Sequence, residues 1–301
     1  MRILMPIDGS VFSKAALDFV ASRTTLIKSQ PQLELLNVQT PVSTRVLRAA
    51  GRELVLKHQA LEANKIIKPA LAQLKRAGLP ALAKTAVGSP GTEVGRVAAA
   101  DAADLIVMGS HGHTGFMSLL FGSVTQAVLA SCNTALLVVR SGGAPKQDSL
   151  KLAIALDGSK YGLAAVRYLV KHRALFGEAP MITLVHVVPD LLTLAVPGFS
   201  GEAPVFGFSP AQMAEMQRAG FERALAPARK LLQAAGLPAA EAQLVGNNPG
   251  DVIAAYASKN KLDLLVLGAK GAGGLRSSVL GSVATRIASQ CRNSLLLVQQ
   301  K

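Results

Sequence analysis

The 301-residue chain has only two cysteines, Cys132 and Cys291, and no tryptophan. Because these cysteines form no Cys-x-x-Cys pair, a disulfide framework and a cysteine-based zinc site are not expected, and the thiols suit a reducing compartment. No run of about 18 apolar residues occurs, so we expect no membrane span. The apolar start of the chain is interrupted by Pro6 and Asp8 and is not typical of a signal peptide. We therefore expect a cytoplasmic protein.

Several catalytic motifs are also missing. The sequence has no Gly-x4-Gly-Lys-[Ser/Thr] motif and no Gly-Lys dipeptide, which argues against a Walker-type ATPase. No Ser-His-Asp order, paired-acid motif or dedicated nucleophile can be assigned, so we expect a binding module rather than an enzyme. His111 and His113 have no cysteine or carboxylate partner at ligand spacing, and no metal site is expected there.

The chain is strongly basic, with a formal net charge of +14. The excess is +7 in residues 1–149 and +7 in the remainder, so it is not confined to a tail. Arg45, Arg48 and Arg52 fall on one face of a predicted helix and form the best candidate patch for nucleic acid or another anionic partner. Since only nine Phe and three Tyr offer stacking surfaces for bases, a solvated helix face is the preferred interpretation.

An internal repeat organises the sequence. Residues 2–10 end in Ile-Asp-Gly-Ser and return as residues 151–159, which end in Leu-Asp-Gly-Ser, at an offset of 149 residues. Residues 104–112 return as residues 263–271 at an offset of 159. The second half therefore holds about ten additional residues, and the Gly- and Pro-rich stretch 196–210 is predicted to be this insertion, as a loop.

Each half alternates short Leu, Ile and Val runs with longer amphipathic stretches, which predicts an α/β fold with a mostly parallel sheet. Because the runs are apolar without alternation, we expect strands covered on both faces. Strands are predicted near residues 2–7, 33–39, 82–87, 104–109, 135–139, 151–156, 181–188, 241–245, 263–268 and 294–298. Helices are predicted in the first half over residues 14–29, 45–77, 91–101 and 123–131, and the second half repeats the set. The predicted domains are residues 1–140 and 150–301, joined by a flexible linker at 141–149.

A glycine-rich loop follows the fourth predicted strand of each half. It reads Gly109-Ser-His-Gly112, nine residues, then Gly122-Ser123, and again Gly268-Ala-Lys-Gly271, nine residues, then Gly281-Ser282. Glycines let the backbone reach positive φ and approach a bulky anion, and the Gly-Ser pair opens a helix whose N-terminus favours phosphate. We interpret both loops as phosphate-binding, with tight strand-to-helix turns as the alternative.

An aspartate follows the first strand of each half, at Asp8 and Asp157. Each precedes Gly-Ser, so a helix-entry role is one interpretation. In an open parallel sheet, ligands bind beyond the carboxyl ends of the strands where the strand order reverses, so a carboxylate there can instead accept hydrogen bonds from adenine or ribose. His186 is interpreted as a hydrogen-bonded core histidine, and Lys270 is expected near phosphate charge.

The segments Pro6-Ile7-Asp8-Gly9-Ser10 and Leu36-Asn37-Val38, with the doubled Gly-x2-Gly-x9-Gly-Ser pattern and the terminal strand 135–139, resemble the ATP-binding branch of the universal stress proteins in their tandem form. The resemblance covers nearly the whole chain. It implies an α/β fold of two Rossmann-like domains of the adenine nucleotide alpha hydrolase type. Each domain would be a five-stranded parallel sheet flanked by helices, and the two would pack as an internal pseudo-dimer.

The resemblance also implies that each half binds ATP, ADP or AMP, with or without Mg²⁺. The aspartate and a valine backbone would contact adenosine, and the glycines and serine would hold ribose and phosphates. The positions that match are Asp8, Val38, Gly109, Gly112, Gly122 and Ser123, and then Asp157, Val187, Gly268, Gly271, Gly281 and Ser282. The expected role is a stress-response binding module with at most slow ATP hydrolysis, an unidentified protein partner, and a homodimer of tandem chains. Ala269 in place of Ser110 removes a hydroxyl and is expected to weaken the second site.

Overall fold

The computed structural model describes residues 1–110, 122–140, 144–191, 209–271 and 280–299, without the side chains of residues 46, 47 and 50. The chain forms an α/β fold on one ten-stranded sheet. The strands are β1 (Arg2–Pro6), β2 (Gln32–Gln39), β3 (Ala81–Val87), β4 (Leu105–Gly109), β5 (Ala135–Val139), β6 (Lys151–Ala155), β7 (Met181–Val188), β8 (Ala239–Val245), β9 (Leu264–Gly268) and β10 (Ser294–Val298). All ten predicted strands are present, within two residues of their predicted bounds.

The sheet consists of two five-stranded parallel units joined edge to edge. Its strand order is β3-β2-β1-β4-β5-β10-β9-β6-β7-β8, and the central pair β5 and β10 is antiparallel. Leu137 pairs with Leu296, its own equivalent 159 residues later, so a pseudo-twofold axis passes between these two residues. The predicted fold class, two Rossmann-like domains packed as an internal pseudo-dimer, is confirmed.

Burial falls from the centre of the sheet to its two edges. Every residue of β5 and β10 is buried, whereas most residues of β3 and β8 are partly or fully exposed. Leu82 in β3 is 74% exposed. The prediction that all strands are covered on both faces is therefore wrong for β3 and β8, because each is a terminal strand with solvent at its open side.

Ten α-helices flank the sheet in the described part of the chain, and none of them is long and apolar enough to cross a bilayer. They are α1 (Val11–Ala21), α2 (Thr24–Lys28), α3 (Thr44–Ala50), α4 (Arg52–Arg76), α5 (Pro90–Ala100), α6 (Ser123–Ser131), α7 (Lys160–Lys171), α8 (Pro210–Ala234), α9 (Pro249–Lys259) and α10 (Ser282–Gln290). Residues 196–208 of the predicted insertion lie outside the described residues. Helix α8 begins directly after its N-cap, Ser209.

Two apolar layers pack on opposite faces of the sheet. Ile3 and Met5 face a cluster formed with α1, α4, α7 and α8, whereas Leu4 faces a cluster formed with α5, α6, α9 and α10. This alternation is the period of two that a strand imposes on its side chains. The carboxyl ends of the strands therefore open between two helical layers.

The predicted helix over 14–29 is in fact two helices, α1 and α2, separated by Ser22 and Arg23. The Arg23 side chain is fully buried, and its guanidinium donates to the backbone oxygens of Asp148 at 2.7 Å, Gln147 at 2.8 Å and Pro145 at 3.3 Å. A flexible linker was expected here, but these hydrogen bonds attach its second part to the first half of the fold.

The predicted helix over 45–77 is also divided. Gly51 has a φ of +81° and ends α3, and α4 begins at Arg52. Arg45 and Arg48 therefore belong to a different helix from Arg52, and the prediction that all three lie on one helical face is wrong because glycine takes a left-handed conformation between them.

Candidate functional site

The Asp-Gly-Ser turns after β1 and β6 have the same geometry in both halves. Gly9 lies at φ +78°, and the Asp8 carboxylate accepts a hydrogen bond from the Ser10 backbone N–H at 2.9 Å. The Ser10 hydroxyl then caps α1 by accepting from the Ser13 backbone N–H at 3.2 Å. Residues 157–162 repeat both bonds at the start of α7, at 3.0 and 3.3 Å. The predicted helix cap is therefore confirmed in both halves.

Asp8 is ionised at neutral pH. Burial alone would raise the pKa of Asp8, but hydrogen bonds from Ser10 and Ser13 outweigh it and hold the pKa below its ordinary value of 3.8. One carboxylate oxygen carries the backbone hydrogen bond to Ser10. A charged acceptor thus lies where β1 ends.

Gly109 and Gly268 end β4 and β9, where helices α1 and α7 approach the sheet closely. A Cβ at Gly109 would lie 1.9 Å from the Phe12 carbonyl oxygen, and one at Gly268 would lie 2.7 Å from Tyr161 backbone atoms. Neither glycine has a positive φ, and the same holds for Gly122, Gly271 and Gly281. The expectation that these glycines supply positive φ is therefore wrong at the five positions. At Gly109 and Gly268, the close packing of helix on strand instead requires a residue without a side chain.

The predicted Gly-Ser pairs open helices, as expected. Gly122 and Gly281 are the N-caps of α6 and α10, and neither helix receives a side-chain cap from the described residues. The Gly281 N–H donates to the Ala269 carbonyl at 2.8 Å, and a Cβ at Gly281 would lie 3.2 Å from the Gly271 nitrogen. Among the described residues, no side chain caps either helix N-terminus, which leaves its first backbone N–H groups to suit an anion.

A cavity of about 270 Å³ lies between these elements in the first half. It sits at the carboxyl ends of β1 and β4, the neighbouring strands at which the strand order reverses. Five of the six predicted residues line it, namely Asp8, Val38, Gly109, Gly122 and Ser123. The sixth, Gly112, lies outside the described residues.

A cavity of about 510 Å³ occupies the matching place in the second half, within the range of typical small-molecule sites. All six predicted residues line it: Asp157, Val187, Gly268, Gly271, Gly281 and Ser282. Lys270 also lines this cavity. The structure therefore brings the eleven predicted residues that it describes to one cavity in each half, while their contact with a ligand stays a prediction.

The profile of the universal stress protein family matches residues 1–140 and 150–299. The chain belongs to this family. Universal stress protein MJ0577 of Methanocaldococcus jannaschii is 30% identical over 154 residues, which cover 46% of this chain and 94% of that protein.

Two solved structures match over nearly the full length. A universal stress protein from Archaeoglobus fulgidus gives a TM-score of 0.67 at 18% identity, covering 100% of this chain and 98% of that one. PA1789 of Pseudomonas aeruginosa, described as functionally unknown, gives a TM-score of 0.60 at 15% identity, covering 99% and 92%. These likenesses show that the tandem fold is shared.

Helices α5 and α9 contribute cavity residues that the motifs did not indicate. Pro90 and Val94 line the first cavity, and Pro249 and Ile253 line the second. The signal that could have found them is a Pro-Gly pair at the start of each helix, repeated at the 159-residue offset of the glycine loops. In this universal stress protein, α5 therefore completes the wall of the first cavity opposite α1, and α9 completes that of the second opposite α7.

Asn37 and His186 are equivalent residues of the repeat, and each contacts an equivalent backbone carbonyl. The Asn37 amide donates to the Ile7 carbonyl at 2.8 Å, and His186 Nδ1 lies 2.7 Å from the Leu156 carbonyl. Because a carbonyl oxygen only accepts, Nδ1 carries the proton in that contact. The prediction that His186 is hydrogen-bonded is confirmed, but the residue also lines the second cavity rather than lying wholly in the core.

The described part of each cavity wall holds no metal centre of its own. Asp8 and Asp157 are the one acidic side chain lining each cavity, and no group of three His, Cys, Asp or Glu residues in the described stretches could hold a metal ion. His111 and His113 lie outside those stretches. A magnesium ion would fit here only if it arrived bound to phosphates, since it usually binds through one or two carboxylates plus substrate oxygens.

Proposed function

We propose that this universal stress protein binds one adenine nucleotide in each half, as ATP, ADP or AMP, and acts as a stress-response binding module. The observation that carries the proposal is the pair of matched cavities at the strand-order switch points, lined by equivalent residues of the repeat. A single cavity of this kind occurs in many α/β proteins, whereas its duplication with the glycine pattern favours a retained binding role.

The adenosine end would lie against the apolar wall beside the aspartate. Leu36, Val38 and Met108 line the first cavity, and Val187, Ile253 and Leu267 line the second. Apolar walls with a few placed polar groups are the usual composition of a small-molecule site. The Asp8 carboxylate keeps an acceptor for a ribose hydroxyl or the adenine amine, because only part of its acceptor capacity goes to Ser10.

The phosphate end would lie at the starts of α6 and α10. The first N–H groups of each helix and the positive end of its dipole favour a phosphate, and Ser123 and Ser282 each add a hydroxyl. Backbone donors positioned in this way bind an anion without supplying a nucleophile or a base. We therefore expect at most slow hydrolysis of the bound nucleotide.

Regulation would follow from ligand linkage. A nucleotide that binds only the folded state stabilises it by about 2.7 kcal/mol at one hundred times its dissociation constant. The loops and helix starts that contact the nucleotide would gain the most order. An unidentified partner protein could then recognise that ordered surface.

Thermal unfolding with ATP, ADP and AMP tests the proposal, and mass spectrometry of nucleotide released from freshly purified protein identifies the natural ligand. Gly122→Asp and Gly281→Asp place a carboxylate at the two helix starts, where it repels phosphate. We expect a concentration-dependent rise in Tm for the wild type, a stoichiometry of two by calorimetry, and one site lost in each variant. The absence of any shift with all three nucleotides would overturn the proposal.

A further inference from the structure

Lys270 is the one Lys or Arg side chain that lines the second cavity among the described residues. It follows β9 in the Gly268-Ala-Lys-Gly271 loop and is half-buried. None of the acidic residues in the described ranges forms an ion pair with it. Its charge is therefore not neutralised by a salt bridge within those ranges.

The Lys270 backbone lies against the start of α10. A Cβ at Gly281 would be 3.6 Å from Lys270 Cα and 3.2 Å from the Gly271 nitrogen. The helix N-terminus and the lysine stem thus begin at the same end of the cavity, and an anion at the helix start lies within reach of the lysine side chain.

The negative group of the cavity lies on the other side of Gly271. A Cβ at Gly271 would lie 3.1 Å from Asp157 Oδ2, while the Gly271 nitrogen faces Gly281. A phosphate placed beside Asp157 would be repelled, whereas one placed toward Lys270 and α10 would be attracted. The Asp157 carboxylate and the start of α10 therefore lie on different sides of Gly271, and Lys270 directly precedes that glycine.

The first half has a different residue at this position. The repeat aligns Lys270 with His111, and an imidazole carries a full positive charge only when protonated. A lysine ammonium is a permanent point charge on a flexible four-carbon stem, which extends its reach beyond the helix start. The two halves therefore differ in charge at this position of the repeat.

We infer that Lys270 makes the second-half site selective for nucleotides with a longer phosphate tail, ATP or ADP over AMP. This inference rests on the proposed function. The α10 N-terminus and Ser282 hold the phosphate nearest the ribose, and Lys270 contacts the phosphates beyond it. The second half has Ala269 where the first half has Ser110, so its loop lacks a hydroxyl. The lysine charge compensates for that lost hydrogen bond with tri- and diphosphates but not with AMP.

Calorimetric titration of ATP and AMP in a Gly122→Asp background, at fixed salt and magnesium, isolates the second site. Removing a charged contact to phosphate by Lys270→Gln is expected to lower the ratio of ATP to AMP affinity about tenfold, while AMP affinity stays nearly constant. Lys270→Arg is expected to keep most of the ratio. Lys259→Gln, which removes the same charge from an exposed position of α9, is the matched control and is expected to leave the ratio unchanged.

The same lysine substitution in a Gly281→Asp background reports on the first site, where no change is expected. An unchanged ratio in Lys270→Gln, or an equal loss of ATP and AMP affinity, overturns the inference and leaves the proposed function standing. Failure of the parent background to bind any adenine nucleotide would instead count against the proposed function itself.

Discussion

Arg140 and Gln299 occupy equivalent positions directly after β5 and β10, and each side chain caps the last helix of the opposite half. The Arg140 guanidinium donates to the Ala288 carbonyl at 2.6 Å and to the Cys291 carbonyl, at the end of α10. The Gln299 amide donates to the Cys132 carbonyl at 2.9 Å, at the end of α6. The last carbonyls of a helix have no partner within the helix, so they are free to accept these hydrogen bonds. The two side chains thereby join the two halves in addition to the hydrogen bonds between β5 and β10.

Arg140→Ala is expected to lower the free energy of unfolding by about 2 to 3 kcal/mol, because it removes a buried charged donor and leaves the α10 carbonyls without it. Gln299→Ala removes a neutral donor and is expected to cost about 1 kcal/mol. Urea unfolding followed by circular dichroism measures both. The control is Arg292→Ala, an exposed cation on the adjacent turn, with an expected cost under about 0.5 kcal/mol. Equal effects for Arg140 and Arg292 would contradict the capping role.

Asp148 holds the linker against α2, and we expect the stability that it contributes to fall at acid pH. Burial alone would raise the pKa of Asp148, but hydrogen bonds from Thr25 and the nearby Arg23 charge outweigh it and lower the pKa. A carboxylate whose pKa is lowered in the folded state stabilises that state when the pH is above its ordinary pKa of 3.8. The stabilisation is lost as the pH falls through the pKa of the folded state.

Asp148→Asn is therefore expected to destabilise the protein by about 1 kcal/mol near neutral pH, a modest amount because the group is partly exposed to water. The difference from wild type should shrink as the pH falls below about 4. Urea midpoints at about pH 7, 4 and 2.5 test this. A difference that stays constant across the series would show that the charge of Asp148 is not what anchors the linker.

The strands and most of the predicted residues that line the two cavities were predictable from the sequence because they depend on local patterns that the repeat displays twice. The break in the predicted helix at Arg23 was not predictable, because its cause is a set of carbonyls at residues 145–148, more than 120 positions away. The role of Gly109 was misread for the same reason, since the atom that forbids a side chain there belongs to Phe12. Local propensity does not report contacts made only in the folded state.

Gly109 and Gly122 are expected to respond differently to the same substitution. In Gly109→Ala the new methyl group would meet the Phe12 carbonyl oxygen, a backbone atom, and displacing α1 is expected to cost about 2 to 3 kcal/mol. At Gly122 a Cβ meets no atom of the described residues within 4 Å, so Gly122→Ala is expected to cost under about 1 kcal/mol, mainly as a poorer N-cap. Thermal and urea unfolding compare the two. Equal losses would show that Gly109 is not required for packing.

Asp8→Asn and Asp157→Asn separate the two roles open to these residues. Asparagine keeps the side-chain oxygen that accepts from the Ser10 or Ser159 backbone N–H, so helix entry and stability should stay within about 0.5 kcal/mol of wild type. It replaces the other oxygen with a donor and removes the charge, so nucleotide affinity should fall about tenfold at the altered site. Calorimetry measures Asp8→Asn in the Gly281→Asp background and Asp157→Asn in the Gly122→Asp background.

The control is Ser159→Ala, which removes the α7 cap but keeps the Asp157 carboxylate and the backbone hydrogen bond that it accepts; Ser159 itself does not line the second cavity. It should cost about 1 kcal/mol of stability and leave affinity unchanged, the reverse of Asp157→Asn. If both asparagine variants bind nucleotide as tightly as their parents, the aspartates serve helix entry alone. The adenosine must then be held by the apolar wall and the backbone of β2 and β7, because no other carboxylate lines either cavity among the described residues.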